Sequence, residues 1–278
     1  FGQVPAGECY NGCAINFDDI EFRTTPIVFL MSSIRPDKLS DDNPSAAFVQ
    51  SVGTESATIV QKMPLGFDNN EFGMEPIFYL VAEPGYVQFD PRSNQKALVN
   101  TIDTQLYQKA GGGDTGWENV VFDSSFGNNE TPIVLTQVQK LTQNDLWATS
   151  AIQTNSVSSS GFKAALELGR RNVFPSVSQT IGYIAALPQT GTTENNEAFV
   201  FSAPSGTFRQ PNSLSNSCNT NYLPLGDDFS SYGVILSKQS RTGGDGGWLR
   251  LCDLTKDDQF SFIFEEDYTD RKHGRPES

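Results

Sequence analysis

The chain repeats its own sequence, and this repetition limits its possible folds more than any other feature. Residues 17–29 return as residues 122–135, and the phrase Thr-Pro-Ile-Val within them is displaced by 106 positions. A second phrase, centred on Tyr79, returns around Tyr183 after 104 positions. Two landmarks with nearly equal offsets indicate a tandem array of similar units.

The offsets divide the 278 residues into three units. We expect the first unit at residues 1–86, the second at 87–190 and a third, partial unit at 191–278. The third begins weakly around residues 228–236 and lacks a closing apolar phrase like that at 181–186. A unit of about a hundred residues is long enough to bury a core of its own.

Short apolar or alternating segments rich in Val, Ile and Phe predict an all-β fold. Clusters of Gly, Asn, Asp, Ser and Pro separate these segments, as turns do. The spacing predicts tandem antiparallel β-sandwiches with about six strands in each unit. Leu98, Ile102 and Leu106 recur every fourth residue, so this segment is compatible with a helix as well as a strand. The other predicted strands lie at residues 25–31, 46–52, 57–61, 77–81, 131–138, 147–153, 161–168 and 181–186.

The charge of the chain argues against several partners. Lys and Arg total 19 against 33 for Asp and Glu, which gives a net charge of −14. Such a chain repels the phosphate backbone of nucleic acid and anionic membrane surfaces. The longest apolar run, at residues 27–31, is far shorter than the roughly 20 residues of a membrane-spanning helix. We therefore expect neither nucleic-acid binding nor membrane insertion.

The four cysteines fall into two local groups, Cys9 with Cys13 and Cys218 with Cys252. An even count in an acidic chain rich in Ser, Thr and Asn predicts disulfides and an extracellular location. Four buried thiols are the alternative. A zinc site is less favoured, because the chain has a single His and no second close cysteine pair.

Several phrases resemble a known family. Thr-Pro-Ile-Val, Ser-Ser-Gly-Phe-Lys-Ala-Ala-Leu-Glu at 159–167 and Thr-Ile-Gly-Tyr-Ile-Ala-Ala at 180–186 resemble the H-type lectin domain. The tandem arrangement, the Gly-rich phrase at 243–252 and the acidic phrase at 265–273 resemble more closely the MshQ-like proteins, which accompany the mannose-sensitive haemagglutinin pilus. The resemblance implies antiparallel sandwiches and adhesion through glycan contact.

In the MshQ-like family the acidic phrase runs into a closing strand, which this sequence does not reach. Two explanations stay open: the chain has been cut, or another polypeptide completes the last sheet by donating a strand.

Tryptophans beside Gly- or Asn-rich loops are candidate sugar-stacking residues. Trp147 and Trp248 open strands in the second and third units, and Asp245 and Arg250 near Trp248 offer polar contacts to sugar hydroxyls. We therefore predict carbohydrate binding at these four residues. A role as core or edge-covering aromatics is the alternative for both indoles.

The acidic stretch near the end of the sequence concentrates oxygen ligands of the kind that Ca²⁺ prefers. Glu265, Asp267, Asp270 and His273 form the candidate metal site. The pattern does not match an EF-hand, and a solvated turn in an acidic protein is the alternative.

Catalysis is not expected, because the chain has one His, no Gly-x-Ser-x-Gly elbow and no Cys/His pairing. The sequence predicts a non-enzymatic extracellular adhesion protein that contacts a glycan or another cell-surface ligand and is associated with a surface appendage. The alternative function is a structural filament or pilus subunit, which would bind copies of itself or pilus components through strand exchange.

Overall fold

The structure, a computed structural model, is built from strands and turns. It describes residues 1–5, 7, 9, 11–17, 20–34, 45–64, 75–109, 112–124, 126, 130–141, 143, 146–169, 173–193, 198–203, 222–224, 233–238, 240–241, 247–256 and 259–265. These ranges contain no helix, which confirms the predicted all-β class. Accordingly, no helix within them has the length and apolar character needed to cross a membrane.

The strands vary from short edge segments to nearly full sandwich strands. In chain order they are β1 (Gly2–Val4), β2 (Cys13–Asn16), β3 (Ile27–Ser32), β4 (Ala46–Val52), β5 (Ser56–Lys62), β6 (Ile77–Ala82), β7 (Gly85–Val87), β8 (Ala97–Thr104), β9 (Tyr107–Lys109), β10 (Glu118–Val121), β11 (Ile133–Lys140), β12 (Ala148–Ile152), β13 (Gly161–Leu168), β14 (Gln179–Ala186), β15 (Gln189–Thr192), β16 (Ala198–Phe201), β17 (Tyr222–Pro224), β18 (Trp248–Lys256) and β19 (Gln259–Glu265).

The first unit is a sandwich of two antiparallel sheets, with strand orders β1-β6-β3 and β2-β5-β4. Side chains from both sheets meet in one core that includes Val28, Leu30, Ile59 and Ile77. Successive side chains of a strand point to opposite faces, so every second residue enters this core.

The second unit repeats the same strand order. Its sheets run β8-β14-β11 and β10-β13-β12, and the short strands β7 and β9 extend them. The six strands of the first unit thus correspond in chain order to β8, β10, β11, β12, β13 and β14. The segment containing Leu98 and Ile102 is β8, a strand, because pairing with β14 on one side and β7 on the other holds it extended.

Among the described residues, the third unit has one sheet of the same kind, with strand order β17-β19-β18. A hairpin of β15 and β16 precedes it. Residues 233–238 precede β18 as β3 precedes β4, but they form no strand.

Many strands are buried on both faces, because the outer face of one unit packs on its neighbour. All six residues of β3 are buried. In β13, Leu166 faces the sandwich core, while the alternating Glu167 faces the third unit and is also buried. Ile27 and Phe29 of the first unit pack on Val99 and Ile184 of the second.

A side-chain amide joins the first and second units. Gln139 Oε1 accepts a hydrogen bond from Val28 N, and its Nε2 donates to Val28 O, each at 2.8 Å. Gln139 lies where the pairing of β11 with β14 shifts register, so a bulge aims its side chain at the outer edge of β3. Gly182 leaves room for the side chains of Ile27 and Gln139, because a Cβ atom at this position would lie 2.4 Å from Ile27 and 2.7 Å from Gln139 Nε2.

The third unit contacts both the first and the second unit, so the three units form a closed ring. Ile34 N of the first unit donates to Leu251 O at 2.7 Å. Thr136 N of the second unit donates to Ser237 Oγ at 3.2 Å. Each unit therefore touches the other two.

Cys9 and Cys13 form a disulfide, as the sequence predicted, with their Cα atoms 4.8 Å apart. Cys252 is also disulfide-bonded. Cys218, the partner that the sequence indicates for it, lies outside the described residues.

We expect Gln139→Ala to lower the free energy of unfolding by about 2 to 4 kcal/mol, because both polar backbone groups of buried Val28 lose their partner. Gln137→Ala is the matched control: its Nε2 reaches Ala47 O only at 3.5 Å, so we expect less than about 1 kcal/mol. Urea unfolding of the three proteins measures both changes. Equal effects of the two substitutions would contradict the role assigned to Gln139.

Tyr183 makes stability depend on alkaline pH. Burial raises its pKa from 10.0 to about 12, and the Asp123 carboxylate adds to the effect. Because the folded state favours the protonated phenol, this contribution is complete below pH 10 and is lost as the pH rises towards 12. We expect Tyr183→Phe to reduce the loss of stability between about pH 8 and about pH 11. Urea unfolding at both pH values tests this. A loss in Tyr183→Phe as large as that of the unmodified chain would contradict the role assigned to the Tyr183 phenol.

Candidate functional site

Three of the predicted sugar-binding residues come together, but in the interior. Trp147, Trp248 and Arg250 are only 3%, 6% and 0% exposed. The two indole rings meet edge to face with their centroids 4.6 Å apart, and Phe48 of the first unit packs on Trp147 at 5.5 Å. These residues lie where the three units meet.

The indole N–H groups bind backbone of the first unit. Trp147 Nε1 donates to Lys62 O at 3.3 Å, and Trp248 Nε1 donates to Ser45 O at 2.9 Å. A sugar-stacking residue must present an open ring face, and neither indole does. The prediction that Trp147 and Trp248 stack on a sugar at the surface is therefore wrong. Their burial agrees with the alternative, in which both indoles are core aromatics.

The pairing of strands explains how Trp248 became buried. Ala46 lies opposite Lys62, Thr149 opposite Glu167, and Trp248 opposite Glu265, so the three pairs occupy equivalent positions in the three units. Ala46 and Thr149 are small, and the large indole of the third unit packs in the cluster that contains Ala46.

Glu265 is a buried structural carboxylate and not a loop ligand. Its Oε1 accepts from Arg250 Nη1 at 3.0 Å, and its Oε2 accepts from Ser45 N at 3.0 Å and Trp248 Nε1 at 3.1 Å. Arg250 Nη2 also donates to Ser33 O at 2.8 Å. With both oxygens engaged by donors inside the protein, Glu265 is poorly placed to bind Ca²⁺.

The remaining candidates, Asp245, Asp267, Asp270 and His273, lie outside the described residues. Within the described part of the chain, no group of three or more His, Cys, Asp and Glu side chains is arranged to hold a metal ion. A Ca²⁺ site at Asp267, Asp270 and His273 stays a prediction.

The second and third units share an ionic cluster that the sequence analysis missed. Glu167 binds Lys238 and also Arg241, the latter at 3.0 Å, and all three side chains are at least nine-tenths buried. Burial lowers the pKa of Lys238 from 10.5, and the neighbouring Glu167 carboxylate opposes that shift. The available signal was Glu167 itself, a charged residue within the apolar run Ala-Ala-Leu-Glu-Leu.

A cavity of about 60 Å³ lies between the units. Its wall combines hydroxyl-bearing residues of each unit, including Ser32, Thr149 and Ser237, with Lys238 and Trp248. Thr149 Oγ1 is buried and has no hydrogen-bond partner among the described residues. This volume has room for about four or five water molecules.

A second candidate site is an exposed loop between β13 and β14, which we call the Phe174 shelf: Val173, Phe174, Ser176 and Val177. Phe174 is 54% exposed, and Val173 and Val177 are also exposed. The ring of Phe174 stacks on Tyr107 with centroids 5.3 Å apart, and Lys109 Nζ lies 4.7 Å from its centroid.

Phe174 stays more than half exposed although two residues of β9 contact its ring. Tyr107 and Lys109 are two residues apart on β9, so their side chains point to the same side of that strand. At 54% exposure, Phe174 keeps apolar surface in contact with solvent.

Polar bonds hold the shelf in place. Gln143 Oε1 accepts from Ser176 N at 3.0 Å and from Ser176 Oγ at 3.1 Å, and Gln143 Nε2 donates to Phe174 O at 3.4 Å. The supporting strand is fixed as well, because Lys109 N donates to Asp114 Oδ1 at 2.7 Å. The shelf is therefore an ordered apolar surface with a polar rim.

Comparisons of the chain with protein-family models, curated proteins and solved structures find no match in any of the three.

We expect Arg250→Met to lower the free energy of unfolding by about 3 to 5 kcal/mol, because it removes the charged partner of a buried carboxylate. The exposed Arg92→Met is the control and should change it by less than about 0.5 kcal/mol. Thermal or urea unfolding monitored by circular dichroism provides the comparison. Similar stabilities of the two variants would show that the Arg250–Glu265 pair does not hold the units together.

Proposed function

We propose that this chain is an extracellular, non-enzymatic adhesion protein that contacts glycans through the Phe174 shelf. The main support is the exposure of Phe174, at 54%, on a ring that Tyr107 and Lys109 contact. Large exposed apolar groups with a polar rim mark interaction sites more often than plain surface.

The chemistry of the shelf suits a sugar. The C–H face of a pyranose ring can pack on an open aromatic face, and its hydroxyls need hydrogen-bonding groups close by. Lys109 places an ammonium 4.7 Å from the centroid of the Phe174 ring, and Gln143 and Ser176 bring an amide and a hydroxyl to the same loop. Phe174 supplies the apolar contact that Trp147 and Trp248, being buried, do not offer.

The shelf is already ordered before a ligand arrives. Gln143 holds the loop through its bonds to Phe174 O and Ser176. A site ordered in advance loses less conformational entropy on binding, which matters for a small and shallow surface.

Other features support the location and the class. The Cys9–Cys13 disulfide suits an oxidising compartment. The single His and the lack of a nucleophile motif in the sequence favour binding over catalysis. Association with a surface appendage rests on the resemblance to MshQ-like proteins.

We expect the soluble chain to bind a subset of glycans on an array, and Phe174→Ala to weaken that binding by about five- to tenfold, or about 1 kcal/mol. Tyr86→Ala, at another exposed aromatic of the second unit, is the matched control and should bind normally. Circular dichroism verifies that both variants are folded.

The array is run with Ca²⁺ and again with EDTA. The shelf has no carboxylate among its residues, so binding should survive EDTA. Loss of binding in EDTA would move the site to the acidic stretch of Asp267, Asp270 and His273. Absence of binding in both buffers would contradict the proposal and favour the structural alternative.

A further inference from the structure

The closing strand is central to one sheet of each complete sandwich. β6 lies between β1 and β3, and β14 lies between β8 and β11. Both strands place Ile and Tyr two residues apart, as Ile77 with Tyr79 and Ile181 with Tyr183. Each supplies backbone hydrogen bonds to two neighbours at once.

Residues 233–238, which we call the acceptor segment, take the place of β3 and β11 in the third unit. Ser237 bonds to Thr136 of β11, and Lys238 binds Glu167. The central cavity is lined by Leu236, Ser237 and Lys238 from this segment, as it is by residues of β3 and β11. The segment therefore has the surroundings of a sandwich strand.

The acceptor segment lacks the strand pairing of its counterparts. No backbone hydrogen bond links it to another described residue, whereas β11 pairs with β14 along its length. Val234 is buried and Ile235 and Leu236 are partly buried, so their surroundings hinder hydration of the backbone. Buried backbone N–H and C=O groups are almost always paired.

The neighbouring strand β16 also has one edge without strand pairing among the described residues. Its counterpart β8 pairs on both edges, but among the described residues β16 pairs only with β15. Phe199 packs on Phe89 of the second unit and Phe201 joins the core between the units, so the alternating Val200 faces the interior side of the third sandwich. Val200 is 45% exposed, whereas Leu98 of β8 is buried in the interior of the second sandwich at 2%.

We propose that the acceptor segment and β16 bind an extended strand of another polypeptide, which pairs by strand addition with backbone edges that no described strand occupies. This interaction is independent of glycan binding at the Phe174 shelf. The incoming strand runs antiparallel to both neighbours, as β14 does to β8 and β11.

The surroundings define the chemistry of that strand. In β14, Tyr183 and Ala185 enter the sandwich interior, while Ile184 and Ala186 pack in the core between the units. A strand in the equivalent position is covered on both faces. It should therefore be apolar throughout, without charges that would be buried and without Pro, which removes a ladder donor.

A peptide with the β14 sequence, Gln-Thr-Ile-Gly-Tyr-Ile-Ala-Ala, is the probe, carrying a fluorescent label and a basic solubility tag. We expect saturable binding to the whole chain by fluorescence anisotropy. A peptide with Pro in place of its central Tyr should bind at least about tenfold more weakly, because a ladder hydrogen bond is lost. A scrambled peptide with the same tag controls for charge.

Val200→Asp tests the site in the protein. The substitution is tolerated at an exposed position but buries a carboxylate once a strand docks, so peptide binding should fall by at least about tenfold. Val121→Asp, at a valine that is 75% exposed on β10, is the matched control and should bind normally. Phe174→Ala should also bind the peptide normally, and Val200→Asp should keep glycan binding. The two variants therefore distinguish a failure of the strand proposal from a failure of the glycan proposal.

Hydrogen exchange of the chain without peptide gives an independent test. Amides of the acceptor segment should exchange much faster than those of residues 133–138 and should become protected when the peptide binds. Protection before peptide is added would show that the chain itself covers the segment and would overturn the proposal. Failure of the β14 peptide to bind, or equal binding to Val200→Asp, would overturn it as well.

Discussion

The three units are held together by buried polar side chains that bind groups of a neighbouring unit. Gln139 reaches the backbone of Val28, Glu265 accepts from Ser45, and Glu167 binds Lys238 and Arg241. Gln139, Glu167 and Glu265 are all buried, so loss of one partner leaves a buried polar group unpaired at a large cost in stability. Apolar burial favours contact in many orientations, whereas these directional bonds favour one.

Because the interior between the units is used for cohesion, the candidate binding surfaces lie away from it. The Phe174 shelf is a loop at the outside of the second unit, and the acceptor segment of the third unit has no strand pairing among the described residues. Loops and unpaired strands carry such roles without disturbing the packed core. The tandem arrangement therefore separates the residues that hold the three units together from those proposed to bind other molecules.

The Trp147 and Trp248 prediction shows where sequence reasoning fails. A tryptophan beside a Gly-rich loop looks the same in sequence whether its ring faces solvent or another unit. Its burial depends on small residues elsewhere, such as Ala46 and Thr149, which are far from Trp248 in the chain. In contrast, the Cys9–Cys13 pairing was predictable, since proximity in sequence already brings the two side chains together.

The sequence by itself determined the repeated unit, the β class and the positions of eight of the nineteen strands found among the described residues, because alternation of apolar residues and turn chemistry are local properties. Tertiary structure alone decided that β8 is a strand, since its pairing with β14 and β7 outweighs a periodicity that also fits a helix. It also decided that Arg250 and Glu265 are an internal ion pair, and that Phe174 and not Trp248 is exposed. Those outcomes depend on how whole units pack against each other, and that packing joins residues more than two hundred positions apart, as in the bonds from Arg250 to Ser33 and from Ser45 to Glu265.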